Sequence, residues 1–181
     1  TADPAPSVGL DPVIAAGGTR VVVCCGTGGV GKTSVSAALA VRAADQGRKV
    51  VLLTVDPAKR LATALGLDTL AAVPQPVVGV SGPGSLDALM LDMTHTFDEA
   101  VRIHAPAGKA AEVLANPFYR ALSTSFSGTQ DYMATELLGQ LHDEAVSSGR
   151  WDLIVIDTPP SRSALDFLDA PTRLDRLAEG P

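Results

Sequence analysis

Residues 26–33 read GTGGVGKT and fit the pattern GxxxxGK[ST] at every fixed position. They follow directly on an apolar run of Val21, Val22, Val23, Cys24 and Cys25. A strand that feeds a glycine-rich loop, which in turn opens a helix, leaves few folds available. The loop's backbone N–H groups must wrap an anion, and the helix must point its positive end at it. Each residue type has a duty in that arrangement. The glycines allow the wrap, Lys32 reaches the β and γ phosphates of a triphosphate, and the Thr33 hydroxyl holds Mg²⁺. The candidate phosphate-binding segment is therefore Gly26, Thr27, Gly28, Gly29, Val30, Gly31, Lys32, Thr33 and Ser34. The bland alternative is a glycine turn between a strand and a helix that binds nothing.

The flanks supply the required context. Residues 33–46 (TSVSAALAVRAADQ) carry apolar side chains at Val35, Ala38, Leu39 and Val41 and stop at Gly47, which suits a helix C-terminus. Residues 49–55 (KVVLLTV) form a short, β-branched, nearly unbroken apolar run of the kind a parallel strand buries on both faces, and they end at Asp56. Residues 88–91 and 153–156 have the same character, and Asp157 follows the second run at once. Strands alternating with helical stretches predict an α/β fold, a parallel sheet flanked by helices. In such a sheet the C-terminal strand ends share one edge, so the phosphate loop, Asp56 and Asp157 should converge there. Asp157 is placed to manage a metal ion, and Asp56 to orient or deprotonate an attacking water. An ordinary strand-end carboxylate and a cap for residues 57–65 are the structural alternatives.

Three segments in this order, GTGGVGKTS, TVDPAKRLATALG and LIVIDTPPSRSALDFL, resemble the anion-transporting, arsenical-pump-driving (ArsA-like) ATPases. That family also includes the targeting ATPase for tail-anchored membrane proteins and belongs to the phosphate-loop enzymes with a deviant loop, alongside the nitrogenase iron protein and the septum-positioning and partition ATPases. The resemblance runs from about Arg20 to Pro171. It implies ATP and Mg²⁺ as ligands, and a dimer that works as a conformational switch. Asp56 would be the switch aspartate that activates water, and residues 157–168 a second switch reporting nucleotide state to a helical, client-handling region. That region would begin within residues 97–148, as a helical insertion at about 94–148 in one domain spanning 19–181.

Departures from the family pattern carry information of their own. The family's usual loop reads GKGGVGKT, whose first lysine reaches a partner's nucleotide across the dimer, whereas Thr27 stands there in this chain. The resemblance therefore implies either a homodimer with slow turnover or a heterodimer with a paralogue that carries the lysine. The second switch reads DTPPSRSA instead of DTAPTGHT, so no role of the family histidine transfers to Ser163. Arg162 either replaces the lost charge or is a solvated arginine at a helix start.

Composition narrows the classes further. The chain has 181 residues and a formal net charge of −6 with scattered basic residues, which argues against nonspecific nucleic-acid binding. No apolar stretch of about eighteen residues and no basic-start signal peptide are found, which predicts a cytoplasmic protein, with peripheral attachment at a membrane as the variant. It would not be an integral membrane protein. The chain starts without methionine and ends just past the second switch, which reads as the N-terminal portion of a longer protein whose remainder supplies adenine-reading and client surfaces. Pro4, Pro6 and Pro12 among small residues predict a flexible leader over 1–18. Cys24 and Cys25 are adjacent, poorly placed for a disulfide, and read as small buried side chains rather than soft-metal ligands. His95, His104 and His142 have no metal-ligand spacing.

The middle of the chain is less explicit. Residues 73–85 (VPQPVVGVSGPGS) predict a surface connector, and residues 94–114 a helix interrupted near Pro106 and broken at Asn116-Pro117. Residues 129–146 repeat apolar side chains at Met133, Leu137, Leu138, Leu141 and Ala145, an amphipathic helix that either packs on the sheet or helps form an apolar client groove. Phe118, Phe126 and Met133 are the candidate groove residues. Two other functions fit the residues: a surface-patterning or partition-type ATPase, and a weakly active nucleotide-binding regulatory subunit.

Overall fold

The computed structural model describes residues 9–56, 59–106, 108–117, 119 and 130–159. Within them the chain runs through α1 (Leu10–Ala15), β1 (Val21–Cys24), α2 (Lys32–Asp45), β2 (Lys49–Thr54), α3 (Arg60–Ala64), β3 (Gln75–Pro76), β4 (Ser85–Met90), α4 (Met93–His104), α5 (Ala110–Ala115), α6 (Gln130–Ser148) and β5 (Leu153–Asp157). The strands form a single sheet in the order β1-β5-β2-β4-β3. All neighbours are parallel except the β3–β4 pair.

Alternation along the central strands sorts their side chains to two apolar layers. Val50, Leu52, Leu153 and Val155 pack with Ile14, Ala40, Ala43 and Leu61, the layer contributed by α1, α2 and α3. Val51, Leu53, Ile154 and Ile156 pack with Met133, Leu137 and Leu141 of α6, and with Met93 and Phe97 of α4. Both faces of β2 and β5 are thus covered, which is why their sequences are nearly continuous in apolar residues. Met133 is 1% exposed in this core, so it does not line a groove: α6 uses its apolar face against the sheet. Phe118 and Phe126 lie outside the described residues.

Two boundaries differ from the sequence expectation. The fourth strand begins at Ser85 rather than Ala88, with Asp87 inside it. Asp87 interrupts the apolar run but is satisfied, because its Oδ2 accepts from Trp151 Nε1 and Arg150 Nη2, each at 2.9 Å. Gln75 and Pro76, expected in a loop, pair with Ala88 and Asp87 as a short antiparallel edge. An edge is where a proline is tolerated in a sheet.

Within the expected leader, Leu10–Ala15 form α1. Ile14 of α1 is 1% exposed, and the buried Arg48 holds the segment from below. Its Nη1 donates to the carbonyls of Ile14 at 2.7 Å and Ala16 at 3.0 Å, and its Nη2 to those of Thr19 at 2.8 Å and Asp152 at 2.7 Å. The Nε donates to Asp152 Oδ1 at 2.7 Å, so all five guanidinium N–H groups are used. Outside, Asp11 pairs with Arg42 of α2 at 3.1 Å.

Candidate functional site

The phosphate loop leaves β1 and ends on α2, with Gly31 at the helix N-cap position. Gly31 has φ +88°, a left-handed conformation that side chains avoid, and no side chain caps the helix there. The first-turn amides of α2 are thereby left facing the loop rather than being occupied by a cap. Lys32 bends over the loop and its Nζ donates to the Thr27 carbonyl at 2.9 Å.

The registers bring the other residues to the same level. Asp157 is opposite both Cys24 of β1 and Thr54 of β2 in the parallel ladders, so the last residue of β5 lies directly under the loop. Thr33 Oγ1 donates to Asp157 Oδ2 at 2.8 Å, and Thr54 Oγ1 to the same oxygen at 3.2 Å. Ser36, one helical turn beyond Thr33, has its Oγ 3.4 Å from Asp157 Oδ1 and 2.9 Å from the Lys32 carbonyl, so its one proton is shared between the two acceptors. Asp157 is 1% exposed. Burial pushes its carboxyl above the usual range, and the Thr33, Thr54 and Ser36 hydroxyls, with the Lys32 charge, pull it partly back.

Above this floor opens a cleft of about 850 Å³, lined on one side by Gly28, Gly29, Gly31, Lys32, Thr33 and Ser34 and on the other by Asp56, Lys59, Arg60, Thr63 and Ala64, with Thr158 completing it. Thr158 is fixed by its Oγ1 donating to the Cys24 carbonyl at 2.9 Å. Asp56 faces the cleft and pairs with Arg60 Nη1 at 2.8 Å. The N-cap position of α3 is Lys59. Behind Asp56, Gln130 at the start of α6 donates through Nε2 to the Val55 carbonyl at 2.8 Å. The helical segment and the aspartate are one residue apart at that contact.

The expected convergence of loop, Asp56 and Asp157 is therefore present. Thr54, Ser36, Lys59, Arg60, Thr158 and Gln130 were not singled out from the sequence. Ser36 had a usable signal, since it lies three residues after Thr33 on one helix face; the rest depend on which strands are neighbours. Arg162 and Ser163 lie outside the described residues. Cys24 and Cys25 are only half-buried, and burial pushes the Cys24 thiol up, away from the thiolate a soft metal takes. Among the described residues no three His, Cys, Asp or Glu side chains cluster as a metal set. Among them, too, no helix is long and apolar enough to cross a membrane.

A parallel α/β sheet with a phosphate loop at the C-terminal ends of its strands defines a phosphate-loop nucleotide-binding fold. Within that class, residues 19–179 match the anion-transporting ATPase family, and the chain belongs to it. It is 29% identical over 176 residues to ATPase GET3 of Malassezia globosa, covering 97% of this chain and 50% of that protein. It is 32% identical over 149 residues to an arsenical pump-driving ATPase of Escherichia coli, covering 81% of this chain and 24% of that protein. To ATPase BagA of Mycobacterium tuberculosis it is 27% identical over 169 residues, 90% of this chain and 49% of the relative. The chain spans half or less of the length of these relatives.

Proposed function

We propose that this chain binds ATP with Mg²⁺ and hydrolyses it, as the engine of a dimeric switch that acts on a client or a membrane partner. The observation that carries the reading is the 2.8 Å bond from Thr33 Oγ1 to the buried Asp157 carboxylate, beneath a phosphate loop. Hard oxygen donors of this kind, one hydroxyl and one carboxylate, suit Mg²⁺, which takes few protein ligands and keeps waters and phosphates for the rest. When bound, the ion would neutralise charge on the β and γ phosphates. Thr33 would hold it directly, and Asp157 would orient the hydroxyl or a coordinated water. Lys32 would leave the Thr27 carbonyl for the phosphate oxygens, and the loop amides would spread the charge that develops there. Asp56, at the cleft wall, would orient the attacking water.

Family membership supports the ATP-hydrolysis part of this reading, as do the relatives named ATPase GET3 and arsenical pump-driving ATPase. The identity of the client is a separate matter, carried by surfaces other than this cleft. Thr27 leaves the loop without a second cation, so the charge that completes the site must come from a lysine-bearing paralogue or from elsewhere in this chain.

The test is Mg²⁺-dependent ATP turnover by the full chain, alone and mixed with such a paralogue, beside Lys32→Ala and Asp56→Asn. Each substitution should lower turnover by about 10²-fold or more, the usual cost of removing a preorganised charge. Turnover unchanged in both variants would overturn the assignment. Tight ATP binding without turnover in every mixture would instead make the chain a nucleotide-responsive regulatory subunit.

A further inference from the structure

We infer that Arg60 is the cation that completes this site in cis, so that hydrolysis needs no lysine from a second chain. The inference rests on the ATP-hydrolysis reading and deepens it. Arg60 begins α3 and lines the same cleft as Lys32, Thr33 and Asp56. Its guanidinium is 2.8 Å from the Asp56 carboxylate, while its side chain remains 67% exposed. An i,i+4 pair whose arginine is two-thirds exposed adds little to stability, so folding does not explain why a cation is set beside the aspartate that faces the cleft. With two-thirds of its side chain exposed, the guanidinium has room to exchange Asp56 for an arriving anion.

A triphosphate offers oxygens that the planar guanidinium can bind with two N–H groups at once, a contact a neutral Thr27 cannot make. In the reaction the water oxygen bonds to the γ phosphorus while the bond from that phosphorus to the β–γ bridging oxygen breaks. The bridging oxygen keeps the electron pair as ADP leaves, and the water's proton passes to Asp56 and then to solvent. The products are ADP, inorganic phosphate and one proton. Negative charge grows on the transferring oxygens and the leaving oxygen as this happens, and that is where an arginine accelerates phosphoryl transfer. Pairing with Asp56 before the nucleotide arrives holds the arginine and the water-orienting carboxylate on one wall of the cleft.

The experiment compares the full chain with Arg60→Ala and Arg60→Lys, measuring kcat and KM over a wide range of protein concentration. ATP affinity is followed separately with a fluorescent ATP analogue, and circular dichroism checks folding. Arg60→Ala should lower kcat about 10³-fold or more while the analogue binds within about tenfold of the parent, the pattern expected for a charge felt mainly in the transition state. Arg60→Lys should keep an intermediate rate, and mixing Arg60→Ala with Lys32→Ala should restore nothing. Parental kcat in Arg60→Ala, or an effect on KM alone, overturns the inference. So does recovery in the mixture, which would put the arginine in the partner's site. A parent chain that binds the analogue but turns over only with a lysine-bearing paralogue overturns it while the nucleotide site stands. Absence of analogue binding by the parent would remove the ATP reading itself.

Discussion

Replacing Asp157 with asparagine should move stability and turnover in opposite directions. The carboxylate accepts from Thr33 at 2.8 Å and Thr54 at 3.2 Å, with the Ser36 hydroxyl 3.4 Å away. Bonds to a charged acceptor contribute about 1.5–3 kcal/mol each against about 0.5–1.5 for neutral ones, so the substitution gives up roughly 2–3 kcal/mol over the two shorter bonds. Against this stands the removal of an ion from a nearly waterless position, a burden of several kcal/mol. The direction in which the carboxyl is shifted decides between them. Burial outweighs the hydroxyls, and the group is harder to ionise in the folded chain than at its usual value of 3.8.

The sign for pH follows from that shift. A carboxyl raised on folding contributes fully below its unfolded value, and the contribution is lost as pH rises through the folded value. Stability of the nucleotide-free chain should therefore decline from about pH 4 upward into the raised range, and Asp157→Asn should flatten that part of the curve. Urea melts of the nucleotide-free proteins at neutral pH should place the variant at or above the parent. Addition of MgATP should then stabilise the parent and not the variant, whose turnover should fall by about 10²-fold or more. A variant that melts well below the parent without nucleotide would show that the carboxylate is retained for stability, and the argument for a functional cost at this position would fail.

Three further outcomes follow from the packing. Arg48→Ala removes five donors, taking away the bonds to the Ile14 and Thr19 carbonyls and leaving Asp152 Oδ1 with the Lys49 amide at 3.2 Å. It should cost about 1–3 kcal/mol for each buried carbonyl left without a donor and release α1, seen as a lower Tm and faster hydrogen exchange over residues 10–19; a Tm within error of the parent would refute the clamp. In Gly84→Ala the new methyl would lie 2.2 Å from the Arg48 carbonyl and 2.4 Å from that of Ala44. Such overpacking costs about 1–3 kcal/mol, and unchanged denaturant midpoints would show that the loop simply moves. Gln130→Ala loses the 2.8 Å bond to the Val55 carbonyl. It should cost about 1 kcal/mol in stability, and it should lower kcat more than ATP affinity if α6 steadies Asp56; equal loss in both would make the contact purely structural.

The phosphate loop, its flanking strand and helix, and the strands at β2 and β5 were legible because their signals are local. A glycine pattern dictates backbone conformation where it stands, and a strand buried on both faces must be apolar at successive positions. Asp87 hid the start of β4 for the opposite reason: its suitability inside a strand depends on Trp151 and Arg150, more than sixty residues away. Ile14 and Arg48 anchor what proline content marked as a flexible leader, again through partners distant in sequence. For Met133 the helical repeat announced an apolar face without saying what it meets, and the sheet meets it.

The candidate site divides along the same line. From sequence alone came the candidate anion-binding loop, the two aspartates that end apolar strands, and the family they indicate together. Only the parallel registers put Asp157 beneath Thr33 with Thr54 and Ser36 around it, and only the placement of α3 set Arg60 against Asp56 in the cleft that the loop also lines. Sequence specifies which local conformations and burial patterns a segment can adopt. Which charges share a cleft is fixed by strand order and helix placement, because electrostatic interactions act over a few ångströms of space whatever the distance along the chain.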